Sequence, residues 1–132
     1  IDRLDYSNDT ATALARGNTG IPGGYKAAVG NANFGYFAGG YSPIVSTITR
    51  LDYSNDTDNA SPKGSMTVAR MQFAGTGTQS FGYVGGGHPG PYSTVDRVDY
   101  SNDTATAVAK APLLAARRRH GAFSAAENAN PQ

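Results

Sequence analysis

Oxygen-bearing side chains return at a fixed step along this chain, so they are where chemistry would first be sought. Asp5, Asn8 and Asp9 come back as Asp52, Asn55 and Asp56, with Asp58 beside them. Carboxylate and amide oxygens are the ligands that calcium takes. The order lacks the Asp-x-Asp-x-Asp-Gly loop and the bidentate Glu of a dedicated calcium loop. Tight-turn chemistry accounts for the same residues, since Asn and Asp tolerate positive φ and hydrogen-bond their own backbone. No metal site is expected. Arg3, Arg50 and Arg97 recur in the same way, near Asp5, Asp52 and Asp99 on one strand face. They read either as a ladder of charge-assisted hydrogen bonds between neighbouring units or as a ring of ligand-facing arginines. The ladder is favoured, because an identical residue in every unit usually serves the unit.

Other chemistry finds less support. His88 and His120 are the only histidines and show no metal-ligand spacing. The chain has no cysteine, which removes disulfides and thiolate chemistry. There is no Gly-x-Ser-x-Gly elbow and no signalled Ser/His/Asp set. Gly75-Thr-Gly77 lacks the third glycine and the helix of a dinucleotide fingerprint. The expectation is a protein without catalytic residues or cofactor. Asn8, Asn55, Asn59 and Asn102 lie in Asn-x-Ser/Thr sequons, which matter only in a glycosylating pathway.

Composition sets the outer bounds. Hydrophobic residues make up 39% and charged ones 16%, and the formal net charge is +1. That is too apolar and too uncharged for charge-driven disorder. The one basic run, Arg117-Arg118-Arg119 followed by His120, is isolated, whereas a nucleic-acid face needs several such patches. No apolar stretch approaches the ~20 residues of a membrane helix. Neither nucleic-acid binding nor membrane insertion is expected.

These residues are positioned by a repeat with a 47-residue period. Ile1 to Thr10 returns as Ile48 to Thr57 and again as Val95 to Thr104, and Phe34 to Gly40 returns as Phe81 to Gly87. Each unit reads as four short strands, and the class is all-β. The first is a small-residue stretch, Gln72 to Gln79 or His120 to Ala126. The second is Phe34 to Phe37 or Phe81 to Val84, where large apolar residues alternate with glycine. The third is Thr47 to Tyr53, with Leu51 and Tyr53 on one face and Arg50 and Asp52 on the other. The fourth includes Ala105 to Val108. Tyr6, Tyr53 and Tyr100 begin the Ser-Asn-Asp-Thr hairpin turn. Gly39-Gly40 and Gly86-Gly87 relieve crowding where the second strand leaves the sheet.

The order of these elements resembles the kelch repeat: an Arg (Arg70, Arg117) before a small-residue strand, an aromatic strand ending in Gly-Gly, a variable loop, then a Tyr-containing strand and a hairpin. Kelch units run to about 50 residues and each forms one four-stranded propeller blade. The resemblance covers essentially the whole chain, as one repeat domain over 1–132. It divides into a partial blade at 1–22, blades at 23–69 and 70–116, and a partial blade at 117–132. The kelch pattern carries a Trp shortly after the Tyr; here Ala13, Ala60 and Ala107 lie near that place. More narrowly, the Asp-Arg-Leu-Asp-Tyr-Ser-Asn-Asp-Thr and Gly-Tyr-Phe-Ala-Gly-Gly phrases resemble repeats in structural proteins of tailed phages of marine bacteria and cyanobacteria.

That resemblance implies a virion structural or adhesive part, such as a tail fibre or appendage, placed on a virion or outside the cell. The alternative is an intracellular propeller that binds a protein partner. Ile1 is not a methionine and falls inside a unit, so processing or excerpting from a longer chain stays open. Three units do not close a ring, which calls for two chains in a six-bladed ring, further copies, or a longer polypeptide. Expected partners are therefore the chain itself, other virion proteins, or a host-surface glycan or protein. Contact is expected at the loops that differ between units, Tyr41 to Ile44 and His88 to Tyr92, where Tyr41 and Tyr92 would stack on a sugar or a partner surface.

Overall fold

The computed structural model describes residues 1–124, and the fold is all-β with antiparallel sheets. A two-stranded hairpin comes first, β1 (Asp2–Arg3) with β2 (Leu14–Ala15). A four-stranded meander follows: β3 (Ala27–Gly30), β4 (Phe34–Ala38), β5 (Thr47–Asp52) and β6 (Ser61–Ser65). A second meander repeats it: β7 (Ala74–Gly77), β8 (Phe81–Gly85), β9 (Val95–Asp99) and β10 (Val108–Ala109). The register is the same in both, with Tyr36 opposite Arg50 in one and Tyr83 opposite Arg97 in the other.

The two meanders pack face to face through small residues. Strand alternation places Tyr36, Ala38, Ile48 and Arg50 on the face of the first sheet that meets the second. Val29 explains the glycines of the facing strands. A Cβ on Gly75 would lie 2.8 Å from Val29 Cγ1, and one on Gly82 would lie 2.5 Å from Val29 Cγ2. Tyr36, Ala38, Ile48, Met66, Val84 and Val98 form the centre of the core. Tyr36 stacks on Tyr100 with centroids 4.7 Å apart and rings 9° from parallel.

Several local expectations are corrected. The first strand covers Ala74–Gly77 rather than Gln72 to Gln79, because Met71 and Gln72 pair outside the sheet, with His88 and Tyr25. No strand forms over 120–124, and residues 125–126 of that expected strand lie outside the described residues. The third strand ends at Asp52, one residue early, because Tyr53–Asn55 is a 3-10 turn. The fourth strand begins at Val108 rather than Ala105; Ala107 N–H instead donates to Ser65 of the neighbouring sheet.

The Ser-Asn-Asp-Thr segment does not use positive φ either. Each copy is a capped 3-10 turn, closed by Asp56 at φ −73° and Asp103 at φ −72°. The preceding aspartate makes this possible: Asp52 accepts from both the backbone N–H and the hydroxyl of Ser54, at 2.9 and 2.6 Å. Asp5 with Ser7 and Asp99 with Ser101 do the same. The serine bonds hold all three carboxyls below their ordinary range.

Candidate functional site

Alternate connections of a meander lie at opposite ends of the sheet, so the 3-10 turns occupy one end and the loops after β4 and β8 the other. The second end carries the residues that differ between repeats. The glycine pairs open both loops: Gly39 and Gly40 have φ of 62° and 140°, Gly86 and Gly87 of 75° and 118°. Any Cβ at Gly39 would sit 2.4 Å from the Arg70 carbonyl, so the chain turns there against the next repeat.

From those turns the two loops diverge. Tyr41 is exposed and meets Tyr25 edge to face, with centroids 6.2 Å apart at 69°. Tyr25 is itself exposed and sits at φ 61°, and Ser42, which follows Tyr41, has φ 75° before a cis bond to Pro43. Ile44 is half-buried. In the other loop, Tyr92 is half-buried; its carbonyl accepts from the Arg117 N–H across an isolated β-bridge, and its own N–H donates to the Gly87 carbonyl. His88 is tied to Met71 by two backbone bonds, and its Nδ1 lies 2.8 Å from a guanidinium nitrogen of Arg118. One loop thus shows an open pair of tyrosines, the other a histidine beside arginine. Tyr25 was not legible as a partner of Tyr41, because it lies sixteen positions before it and the next repeat has Gln72 rather than an aromatic at its place.

The repeated arginines lie elsewhere, between neighbouring repeats, and their acceptors differ from those expected. Asp52 and Asp99 are occupied by serines, and the guanidinium groups of Arg3 and Arg50 reach a turn of the next repeat instead. Arg50 donates to Asp103 at 2.8 Å, with Lys63 Nζ 3.9 Å away on the other oxygen. Arg3 donates to Asp56 at 2.6 Å. Arg16 Nε is 2.9 Å from Asp56 as an ionic contact, without the alignment of a hydrogen bond. Buried Tyr36 also donates its hydroxyl to Asp103, at 3.0 Å. Burial first, then the neighbouring carboxylate, pushes the Tyr36 phenol up to about 12. Arg50 and Arg97 further lie 4.3 and 4.4 Å from the ring centroids of Phe34 and Phe81.

One polar pair escaped sequence reasoning altogether. Arg70 and Asp96 are both fully buried, 3.0 Å apart, and Asp96 also accepts from the N–H and hydroxyl of Thr67. Burial lowers the Arg70 pKa, opposed by Asp96. The preceding repeat has Gly23 and Thr49 at these two positions. Reading both together would have revealed the pair.

Among the described residues, no group of three His, Cys, Asp or Glu side chains converges on one point. No helix there is long and apolar enough to cross a membrane. No protein-family profile matches the chain, and no characterised protein matches it in sequence.

Proposed function

We propose that the two meanders are blades of a kelch-like propeller and that the chain is a non-enzymatic structural or adhesive module. A virion appendage that touches a host surface through its loops is the setting that best suits it. One observation carries this reading: two sheets with the same register and the same turns end in loops of unlike chemistry. Tyr41 and Tyr25 stand open in one, whereas His88 and Arg118 adjoin in the other. A rigid frame bearing variable aromatic loops is an arrangement for recognition, because binding residues concentrate on loops held by a scaffold. Exposed tyrosines bury large area at small entropic cost and leave a hydroxyl for polar contact, which suits glycans and protein surfaces alike.

Binding of the labelled chain to host cells and to isolated lipopolysaccharide tests the reading, with Y25A/Y41A and with H88A/Y92A. Loss of binding in either variant, with the fold intact by circular dichroism, supports loop-mediated adhesion. Retention of full binding by both variants places contact elsewhere.

A further inference from the structure

We infer that the outer face of the second sheet, at Tyr83, Arg97 and Lys110, receives the N-terminal hairpin turn of a second copy of this chain, at Tyr6 and Asp9. The inference is independent of what the loops bind, because it rests on a joint that the chain already makes within itself.

In that joint, an arginine and a basic residue on one repeat grip the aspartate that closes the next repeat's 3-10 turn. Arg3 and Arg16 hold Asp56, and Arg50 and Lys63 hold Asp103. Where the aromatic strand is present, its tyrosine stacks on the turn tyrosine and bonds the same aspartate, as Tyr36 does with Tyr100 and Asp103. Tyr83, Arg97 and Lys110 stand one period beyond Tyr36, Arg50 and Lys63. Arg97 already holds the working pose over its phenylalanine, yet its Nε is buried with no hydrogen-bond partner, and it makes no ion pair among the described residues. Among the described residues it lacks only the acceptor.

The complementary half is open at the other side of the molecule. Tyr6 matches Tyr100 but is 89% exposed, and Asp9 matches Asp103 but makes no ion pair among the described residues. Leu4, which matches buried Leu51 and Val98, is 43% exposed, so among the described residues the hairpin has one face without a neighbouring sheet. Among the described residues, a cationic, aromatic face and an anionic, aromatic turn of the same molecule are thus both without an ionic partner.

A third correspondence points the same way. The buried pair Arg70–Asp96 belongs to one repeat, and the repeat before it has neither member. Arg117 and Asp2 stand at the equivalent places, at opposite ends of the described chain. Seating the hairpin of a second copy beyond Tyr83 brings that Asp2 into the repeat that Arg117 begins. The contact is heterologous, so copies add head to tail into a ring or an open chain. It is also weaker than the internal joint. Gly17 and Gly64 admit a carbonyl that would lie 1.8 and 1.9 Å from a Cβ, whereas the third position is Ala111.

Sedimentation and light scattering of the 132-residue chain read the outcome. The wild type is expected to exceed 13.7 kDa with rising concentration. R97D and D9R should each weaken association at least about tenfold, as close charge pairs across interfaces do. An equimolar mixture of the two, or the double variant R97D/D9R, should recover it. D9R alters an exposed residue and leaves the fold intact even if R97D does not. A chain that stays monomeric in concentrated solution overturns the inference. So does assembly that ignores both reversals, or reversals that do not compensate each other.

Discussion

Asp9, Asp56 and Asp103 occupy the same place in the same phrase, yet the structure gives them different work, and alanine at each measures the difference. Asp103 is 8% exposed and accepts from the buried Tyr36 hydroxyl as well as from Arg50. D103A leaves that hydroxyl without an acceptor, which costs about 1–3 kcal/mol. It also removes an ion pair with a partly exposed arginine, worth up to about 1 kcal/mol after solvent screening. The expected loss is about 1–4 kcal/mol, a large share of an ordinary domain's stability. Asp56 has two cationic neighbours and, unlike Asp103, accepts no bond from a buried hydroxyl, so D56A should cost about 1 kcal/mol. D9A should stay within about 0.5 kcal/mol when measured in dilute solution, where association does not contribute. D103N keeps an acceptor for Tyr36 and should fall between the alanine variants at 103 and 56. Urea unfolding at neutral pH reads all four, with unchanged m-values as the condition for comparison. A D9A loss equal to that of D103A would refute the reasoning, since it would place the cost in the turn itself rather than in the joint.

Three further outcomes follow from the geometry. The Tyr36 phenol binds its proton more tightly folded than unfolded, so its contribution is fully present below about pH 10 and is lost as pH rises toward about 12; alkaline unfolding monitored by circular dichroism should show this, and Y36F should flatten it. G64A places a Cβ 1.9 Å from the Ala105 carbonyl across a backbone bond and should cost about 3 kcal/mol in urea, whereas G90A, with nothing within 4 Å, should cost almost nothing. D96A strands a buried guanidinium and should cost about 3–5 kcal/mol, while an apolar double replacement, R70M/D96V, should recover most of it; a double variant no more stable than D96A would argue against the buried pair as the cause.

The repeat made the all-β class, the strand order and the aromatic second strands legible, because local alternation and turn residues carry that information in neighbouring positions. Phe81 to Val84 falls within β8, and the expected Thr47 to Tyr53 overruns β5 by one residue only, since a strand's two faces are written at every second residue. The turn chemistry was half legible. Asp, Ser and Asn marked a turn, but whether Asp52 would cap a 3-10 turn or face Arg50 depended on which acceptor lay nearer in space. The structure gave Asp52 to Ser54, two residues away, and left Arg50 to find Asp103, fifty-three residues on.

What the sequence determined by itself was therefore the unit: its period, its strands and the residues common to every copy. What only the tertiary structure decided was how one unit meets the next. Val29 against Gly82 and Tyr36 on Tyr100 are contacts between repeats that no local pattern pairs, because their chemistry depends on distances set after the sheets have stacked. The same is true of the open tyrosine pair Tyr25 and Tyr41. A repeat fixes what each copy contains, and packing fixes which of its groups are used up and which are left to bind.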